Sequence, residues 1–324
     1  MLDKSKEEMD MQDLKDLGIV DIFESLEDVA DSHIKRALGS LGQRMKKRNG
    51  QEAGKIEKQS APPSKTAEVV QLPCWPESAR GVPNSALRGA LFAAIQGKDR
   101  RYMKRELLAV QQGVEIRFTG MQLDQSDLDV WEQALHLARL HPLGSRCECT
   151  AHGFLKALGR STGKPMHEWL KDVFARLAGC AVEITHNRMT YGGSLFEFYR
   201  DEDTQRYRLE INPKIKALYT AGWTACDWEQ RKQLSRKPLA LWLHGWLSSH
   251  AEPYPVKVDS LMQWSGSRTK QAKHFKANLA KALDDLKAVG ALNSYVFSGG
   301  LVSINRTPSA SQCRYLTKDK PRKK

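Results

Sequence analysis

Ser298-Gly299-Gly300 separates two alternating runs, Ala291–Phe297 and Leu301–Ile304, and a glycine turn of this kind closes a β-hairpin. Immediately upstream, a long amphipathic stretch runs from Ser267 to about Val289, with Gly290 just past its end and Ser267 placed to cap its start. Ser265-Gly266 is a turn, preceded by a brief helix ending at Trp264 and a short extended piece, Tyr254–Val258. Before these comes a helix, Leu239–Ser248, carrying Leu241, Trp242 and Trp246. Helix, turn, helix and then hairpin is the order of a winged helix, and few other folds accept it.

The same order occurs upstream. Arg146–Thr150 reads as a strand, His152–Leu158 as a short helix, and Gly159–Gly163 as a polar turn. A second helix, Pro165–Leu177, has Pro at a first helical position and an apolar stripe of Met166, Trp169, Leu170, Val173, Phe174 and Leu177. Alternating segments follow at 181–185, 194–199 and 207–211, with Gly192-Gly193 and Asp201–Asp203 as turns. Further upstream, Val114–Phe118 alternates as a strand. A helix capped by Asp124 or Ser126 then runs to about Leu140, where Pro142 ends it. The expected class is α+β, with two tandem winged-helix domains at 71–235 and 236–306. They follow a flexible acidic extension over residues 1–70 and precede a basic tail over 307–324. Within the extension, residues 14–29 carry apolar side chains at helical spacing, and 44–65 has the Lys, Gln, Gly, Ser and Pro content of a linker.

Charge divides the chain unevenly. Residues 236–324 hold 16 basic and 5 acidic side chains, so this last segment supplies +11 of the net +13. Such a concentration points to a polyanionic partner. On a helical wheel centred on Phe275, Leu279, Ala282 and Leu286 share the buried face. The opposite face carries Thr269, Lys270, Lys273, His274, Ala277, Ala280 and Lys281, with Lys276 at its margin. Alanines let a helix approach base edges, while Lys, Thr and His donate to phosphates or bases. The expected DNA-binding set is therefore Ser267, Arg268, Thr269, Lys270, Lys273, His274, Lys276, Ala277 and Lys281, with Arg306 after the hairpin. In the upstream copy, Lys164, His167 and Lys171 lie off the apolar stripe but are interrupted by Glu168 and Asp172, which suits backbone contact at most. The tail, Lys318–Lys324, has five basic residues and one acid and would add sequence-blind phosphate contacts.

Catalysis has little support in the sequence. Gly159-Arg-Ser-Thr-Gly163-Lys164-Pro165 has three residues between its glycines where a phosphate loop needs four, and Pro165 stands where Ser or Thr would hold magnesium. The nine histidines contain no His-x-His pair, and Cys147 and Cys149 lack a second cysteine pair to complete a zinc site. No cofactor, metal or enzymatic activity is expected. The six scattered cysteines read as reduced thiols, no window approaches 18 apolar residues, and the acidic first 31 residues lack the pattern of a signal peptide. These features fit a cytoplasmic protein with no membrane partner.

Several motifs, in order, resemble the TrfA family of plasmid replication initiators. They are Trp75-Pro76-Glu-Ser-Ala-Arg80-Gly-Val-Pro83-Asn84, Ile116-Arg-Phe-Thr119-Gly120, Asp129-Val130-Trp131 and Pro142-Leu143-Gly144. Ser249-His250-Ala-Glu252-Pro253-Tyr254-Pro255, Leu261-Met262 and the exit at Leu286–Leu292 extend the likeness across residues 71–306. The resemblance implies a bacterial plasmid-encoded initiator that binds tandem repeats, the iterons, in double-stranded origin DNA. It further implies opening of adjacent AT-rich DNA, recruitment of the host initiator and replicative helicase, and active monomers in equilibrium with inhibitory homodimers. The C-terminal winged helix would read the iteron and the N-terminal one would serve dimer and backbone contacts. Family members can carry a Gln-Leu-x-Leu-Phe segment that docks on the host sliding clamp; the nearest match, Gln71-Leu72-Pro73-Cys74-Trp75, lacks the Leu-Phe pair. The alternatives are a winged-helix repressor, including one acting on its own gene, and a DNA-nicking replication enzyme.

Overall fold

The computed structural model describes residues 71–111, 113–142, 146–186 and 189–318. The amphipathic extension and linker expected before residue 71, and the tail beyond Lys318, lie outside the described residues.

The chain enters through Leu72 and Trp75, both buried in the core. Strand β1 (Ala79–Pro83) leads into a single helical turn, α1 (Asn84–Leu87), and a two-residue strand, β2 (Phe92–Ala93). β3 (Tyr102–Leu108), β4 (Val114–Met121) and β5 (Leu123–Asp124) follow. Helix α2 (Gln125–Ala138) then starts on a capping box. The Asp124 carboxylate accepts from the backbone of Ser126 and Asp127 at 2.9 and 3.1 Å, and that of Asp127 accepts from the Asp124 N–H at 3.0 Å. Of the two expected caps, Asp124 is the one used.

β6 (Arg146–Thr150), α3 (Ala151–Ala157) and α4 (Lys164–Ala178) occupy the places that hydrophobic spacing assigns them. The Gly159–Gly163 segment is the turn joining the two helices, with Gly159 at φ +68° ending one and Gly163 capping the next. After α4 the structure departs from the expected simple hairpin. β7 (Ala181–His186) and β8 (Met189–Gly193) form a hairpin of their own, so Gly192-Gly193 ends a strand instead of making the turn. β7 joins β4, burying Val182 and Ile184 in the four-stranded sheet β3-β4-β7-β8. Only then do β9 (Glu197–Arg200) and β10 (Arg206–Glu210) close a three-stranded sheet with β6. α5 (Lys216–Thr220), β11 (Trp223–Asp227), which pairs back on β1, and α6 (Trp228–Gln233) complete this part.

The second copy begins with α7 (Pro238–Ser248), followed by β12 (Val256–Lys257), α8 (Val258–Trp264) and α9 (Ala272–Ala288). The hairpin of β13 (Ser294–Ser298) and β14 (Leu301–Asn305) turns on Gly299 and Gly300, both at positive φ (55° and 80°), as a tight two-residue turn requires. A final helix, α10 (Ala310–Lys318), lies within the segment expected as a basic tail.

The two copies share one topology. Their sheets run β6-β10-β9 and β12-β14-β13, so in each the last strand lies central, between the entry strand and its hairpin mate. Leu209 faces Cys147 and Phe198 across the first sheet, and Val302 faces Val256 and Phe297 across the second. Leu209 and Val302 are both fully buried and mark equivalent positions.

Two apolar cores result, one drawn from Leu72 to Trp228 and the other from Leu234 to Ile304, within one compact unit, Glu68–Lys324. Polar ties join them. Arg231, 1% exposed, reaches Asp129 at 2.6 Å and the carbonyls of Gln125 and Leu241 at 3.3 Å. The Trp242 indole donates to Gly89 O at 3.0 Å, Arg88 donates to the Ser249 hydroxyl at 3.0 Å, and Ala94 N–H donates to Ser265 O at 2.7 Å.

Candidate nucleic-acid interface

Helix α9 packs through Phe275, Leu279, Ala282, Leu283 and Leu286, which recur at helical spacing and are buried. That packing fixes what faces outward. Lys273, His274, Lys276, Ala277 and Lys281 are exposed, as is Lys270 just before the helix. Among the described residues, no carboxylate lies within ion-pair distance of Lys270, Lys273, Lys276 or Lys281. Lys276 has an aromatic neighbour instead, its Nζ 5.1 Å from the centre of the Phe297 ring on the hairpin. The acidic side chains of α9 lie toward its C-terminal half: Asp284 accepts from the Tyr295 hydroxyl at 2.8 Å, and Asp285 pairs with Lys237 at 2.8 Å. The N-terminal half is thus a cationic face with small alanines in it.

Three expected members of the set are placed differently. Ser267 does not cap the helix, which starts at Ala272; its hydroxyl accepts from Thr269 N–H at 3.3 Å and donates to Thr269 Oγ1 at 3.1 Å. The physical reason lies one residue earlier. Gly266, at φ +61°, is packed so closely that a Cβ there would meet Ala93 Cβ at 2.9 Å and Ala90 Cβ at 3.1 Å. The chain must therefore run across the first copy before it can coil, and residues 267–271 are irregular. Arg268 lies in that segment and donates to Gln122 Oε1 at 3.0 Å, which tethers it while leaving its charge unneutralised.

Arg306 is the clearest correction. Its guanidinium points inward and donates to Leu247 O at 2.5 Å and to His250 O at 3.4 Å, and burial holds its pKa below the ordinary arginine value. It bonds to carbonyls at the C-terminal end of α7, a task shared by the Gln312 amide, which donates to Ser248 O at 2.8 Å. Arg306 is a structural anchor and leaves the DNA-facing set.

In the first copy, Lys164, His167 and Lys171 line a cleft between α4 and the β9–β10 hairpin, together with His152, Arg200 and Tyr207. Two of its cations are matched, Lys171 by Glu168 at 2.8 Å and Arg200 by Glu202 at 3.0 Å. Outside the cleft, Arg176 of the same helix pairs with the buried Asp127 at 2.8 Å. Cys147 and Cys149 share one strand, and burial drives both thiols toward the neutral form, Cys149 up to about 12. His244 and His250, buried in the second copy, are pushed down to about 3 and 4 by desolvation, which keeps them neutral packing groups.

Spacing alone did not flag Lys98 or Arg236. Folding brings both beside the middle of α9, near Asn278 and Lys281, Lys98 from a 3-10 turn and Arg236 from the α6–α7 junction.

Fold and surface together define a mixed α+β protein built on a duplicated strand–helix–helix–hairpin unit, with one copy presenting an unpaired cationic helix. The chain belongs to the TrfA protein family, which it matches over residues 40–306. It is 27% identical over 242 residues to the plasmid replication initiator protein TrfA of Escherichia coli, an alignment covering 72% of this chain and 63% of that relative's length. Among solved structures it is similar to domains 2 and 3 of RctB, with a TM-score of 0.46 and 11% identity over 69% of this chain and 98% of that one. A second structure of RctB domains 2–3 gives a TM-score of 0.43 and 13% identity over 66% and 92% of the two chains.

Proposed function

We propose that this protein is a plasmid replication initiator that binds direct repeats in double-stranded origin DNA, with α9 as the reading helix. Family membership supports the initiator role. The observation that carries the assignment of α9 is its exposed face of Lys270, Lys273, His274, Ala277 and Lys281, free of carboxylate partners among the described residues. Lysines without carboxylates are available to phosphates and base edges, and alanine allows the backbone close to thymine methyls. On this reading the two units act as tandem winged-helix domains over 71–235 and 236–306. The second specifies sequence, and the first, through Lys164, His167 and Lys171, contacts backbone and takes part in a monomer–homodimer equilibrium. Opening of AT-rich DNA and recruitment of the host initiator and replicative helicase would follow binding, in the bacterial cytoplasm. No helix among the described residues is long and apolar enough to cross a membrane.

Footprinting of the purified full chain on its plasmid origin tests the proposal. Protection is expected at direct repeats spaced by one or two helical turns of about 10.5 base pairs each. Protection of a single palindrome over a promoter would make the protein a repressor, and magnesium-dependent conversion of supercoiled origin DNA to nicked circles would make it a nuclease.

A further inference from the structure

Beside the middle of α9, where Asn278, Lys281 and Asp285 lie, is a cleft whose walls come from both copies. The 3-10 turn Gly97–Asp99 of the first copy contributes Lys98, the α6–α7 junction contributes Arg236 and Lys237, and the second copy contributes Arg268, Asn278 and Lys281. Lys98, Arg236 and Lys281 are exposed and, among the described residues, have no ion-pair partner. Arg268 is hydrogen-bonded only to the neutral Gln122 amide, so its charge is also unbalanced. Lys237 is neutralised by Asp285 at 2.8 Å, which leaves Asp99 as the one carboxylate in the cleft without a cationic partner among the described residues.

A further observation concerns Arg236 itself. Arg236 adopts φ +65°, a left-handed conformation that a residue with a Cβ holds at a cost and that glycine would hold freely. An arginine kept at a glycine-like position is explained by use of its side chain. The cleft is open, and none of the residues lining it is aromatic, so it offers no stacking platform for a base. Its chemistry is that of a phosphodiester track.

We infer that this cleft binds the DNA backbone next to the bases under α9, with Lys98 and Arg236 as phosphate-contacting residues. One copy of the unit thereby helps to hold the strand that the other reads. The inference rests on the reading of α9 as the DNA-facing helix.

The test is equilibrium binding of the full-length Lys98→Gln/Arg236→Gln variant to a fluorescent duplex of origin repeats and to a scrambled duplex, across a salt titration. Removing one cation from a phosphate is expected to reduce the log–log salt slope by about 0.9, so the double variant should fall by about 1.8. Affinity for both duplexes should drop by the same factor, leaving their ratio as in the wild type. A second variant, Arg236→Gly, relaxes the backbone and should melt at or above the wild-type Tm while its salt slope falls by about 0.9. An unchanged slope in the double variant, with wild-type binding intact, overturns the cleft. A selective loss of repeat preference overturns it too, because that is the mark of base contacts. Failure of the wild type to bind either duplex removes the reading of α9 itself, and the cleft with it.

Discussion

In the first copy, Lys171 of the second helix is held by Glu168, Arg208 by Glu148 at 3.1 Å, and the hairpin tip is Asp201-Glu202-Asp203. The matching helix of the second copy carries Lys273, His274 and Lys281, with Lys270 just before it, without a carboxylate partner among the described residues, and its hairpin, Ser294 to Asn305, has no charged residue at all. The frame is the same: entry strand, two helices, and a hairpin whose last strand is central. What differs is how far the cations of the outward helix face are paired: Glu168 holds Lys171 in the first copy, though not Lys164, and no carboxylate pairs with Lys273 or Lys281 in the second among the described residues. Topology presents a helix, and the carboxylates nearby decide whether it is available to a polyanion.

The comparison can be broken at three places. The largest effect should come from Arg231, which ties α2 of one copy to α7 of the other and faces Asp129 at 2.6 Å and Glu132 at 3.2 Å. Burial already pushes the Glu132 carboxyl up to about 7, against the opposing pull of Arg231. Arg231→Met should cost roughly 3–5 kcal/mol above neutral pH, because it strands the buried Glu132 carboxylate and leaves Asp129 only the more distant Arg160, at 3.8 Å. Both carboxyl groups are held above their ordinary pKa, so the folded state takes up protons first and the loss should shrink as pH falls. Denaturant melts at pH 8 and pH 5 measure this. A second-copy transition that stays in place would mean that the two units fold independently.

Next in size is a matched pair of triple variants. Lys270→Ala/Lys273→Ala/His274→Ala should abolish preference for origin repeats, at about 1–3 kcal/mol for each base no longer bonded. Lys164→Ala/His167→Ala/Lys171→Ala should weaken repeat and scrambled duplexes equally in a gel-shift titration. A changed ranking in the second variant would erase the division of labour between the copies. The smallest effect should come from Glu168→Gln, which frees Lys171 from its exposed partner. Stability should hold while the salt slope rises by up to about 0.9, as expected for one new phosphate contact; a flat response would mean that the first copy's helix does not approach DNA.

Much of this architecture was legible because its signals are local. The stripe from Phe275 to Leu286, the Gly299-Gly300 turn and the strand, helix, turn and helix at 146–178 of the upstream copy all survive folding unchanged in kind. What escaped depends on partners distant in the chain. β1 has no strand pattern until Ala79 meets Asp227, and β3 loses its alternation at a bulge where Arg105 takes φ +47°. Ser267 has the side chain of a cap, yet the close contact of Gly266 with Ala90 and Ala93 overrides that preference. Arg306 reads as an exposed cation because the carbonyls it serves belong to Leu247 and His250, more than fifty residues earlier. For the interface, the interrupting Glu168 was visible three residues before Lys171. The convergence of Lys98 and Arg236 was not, since they lie in connections far apart in the chain.

The seat of Gly266 has a last consequence. Because backbone, and not a flexible side chain, fills the gap against Ala90 and Ala93, the start of α9 keeps a set distance from the first copy. If α9 reads DNA as proposed, a protein built this way would gauge length as well as read letters. A repeat with the right bases, but stretched or shortened by a few base pairs, would present its phosphates out of step with the first copy and be refused.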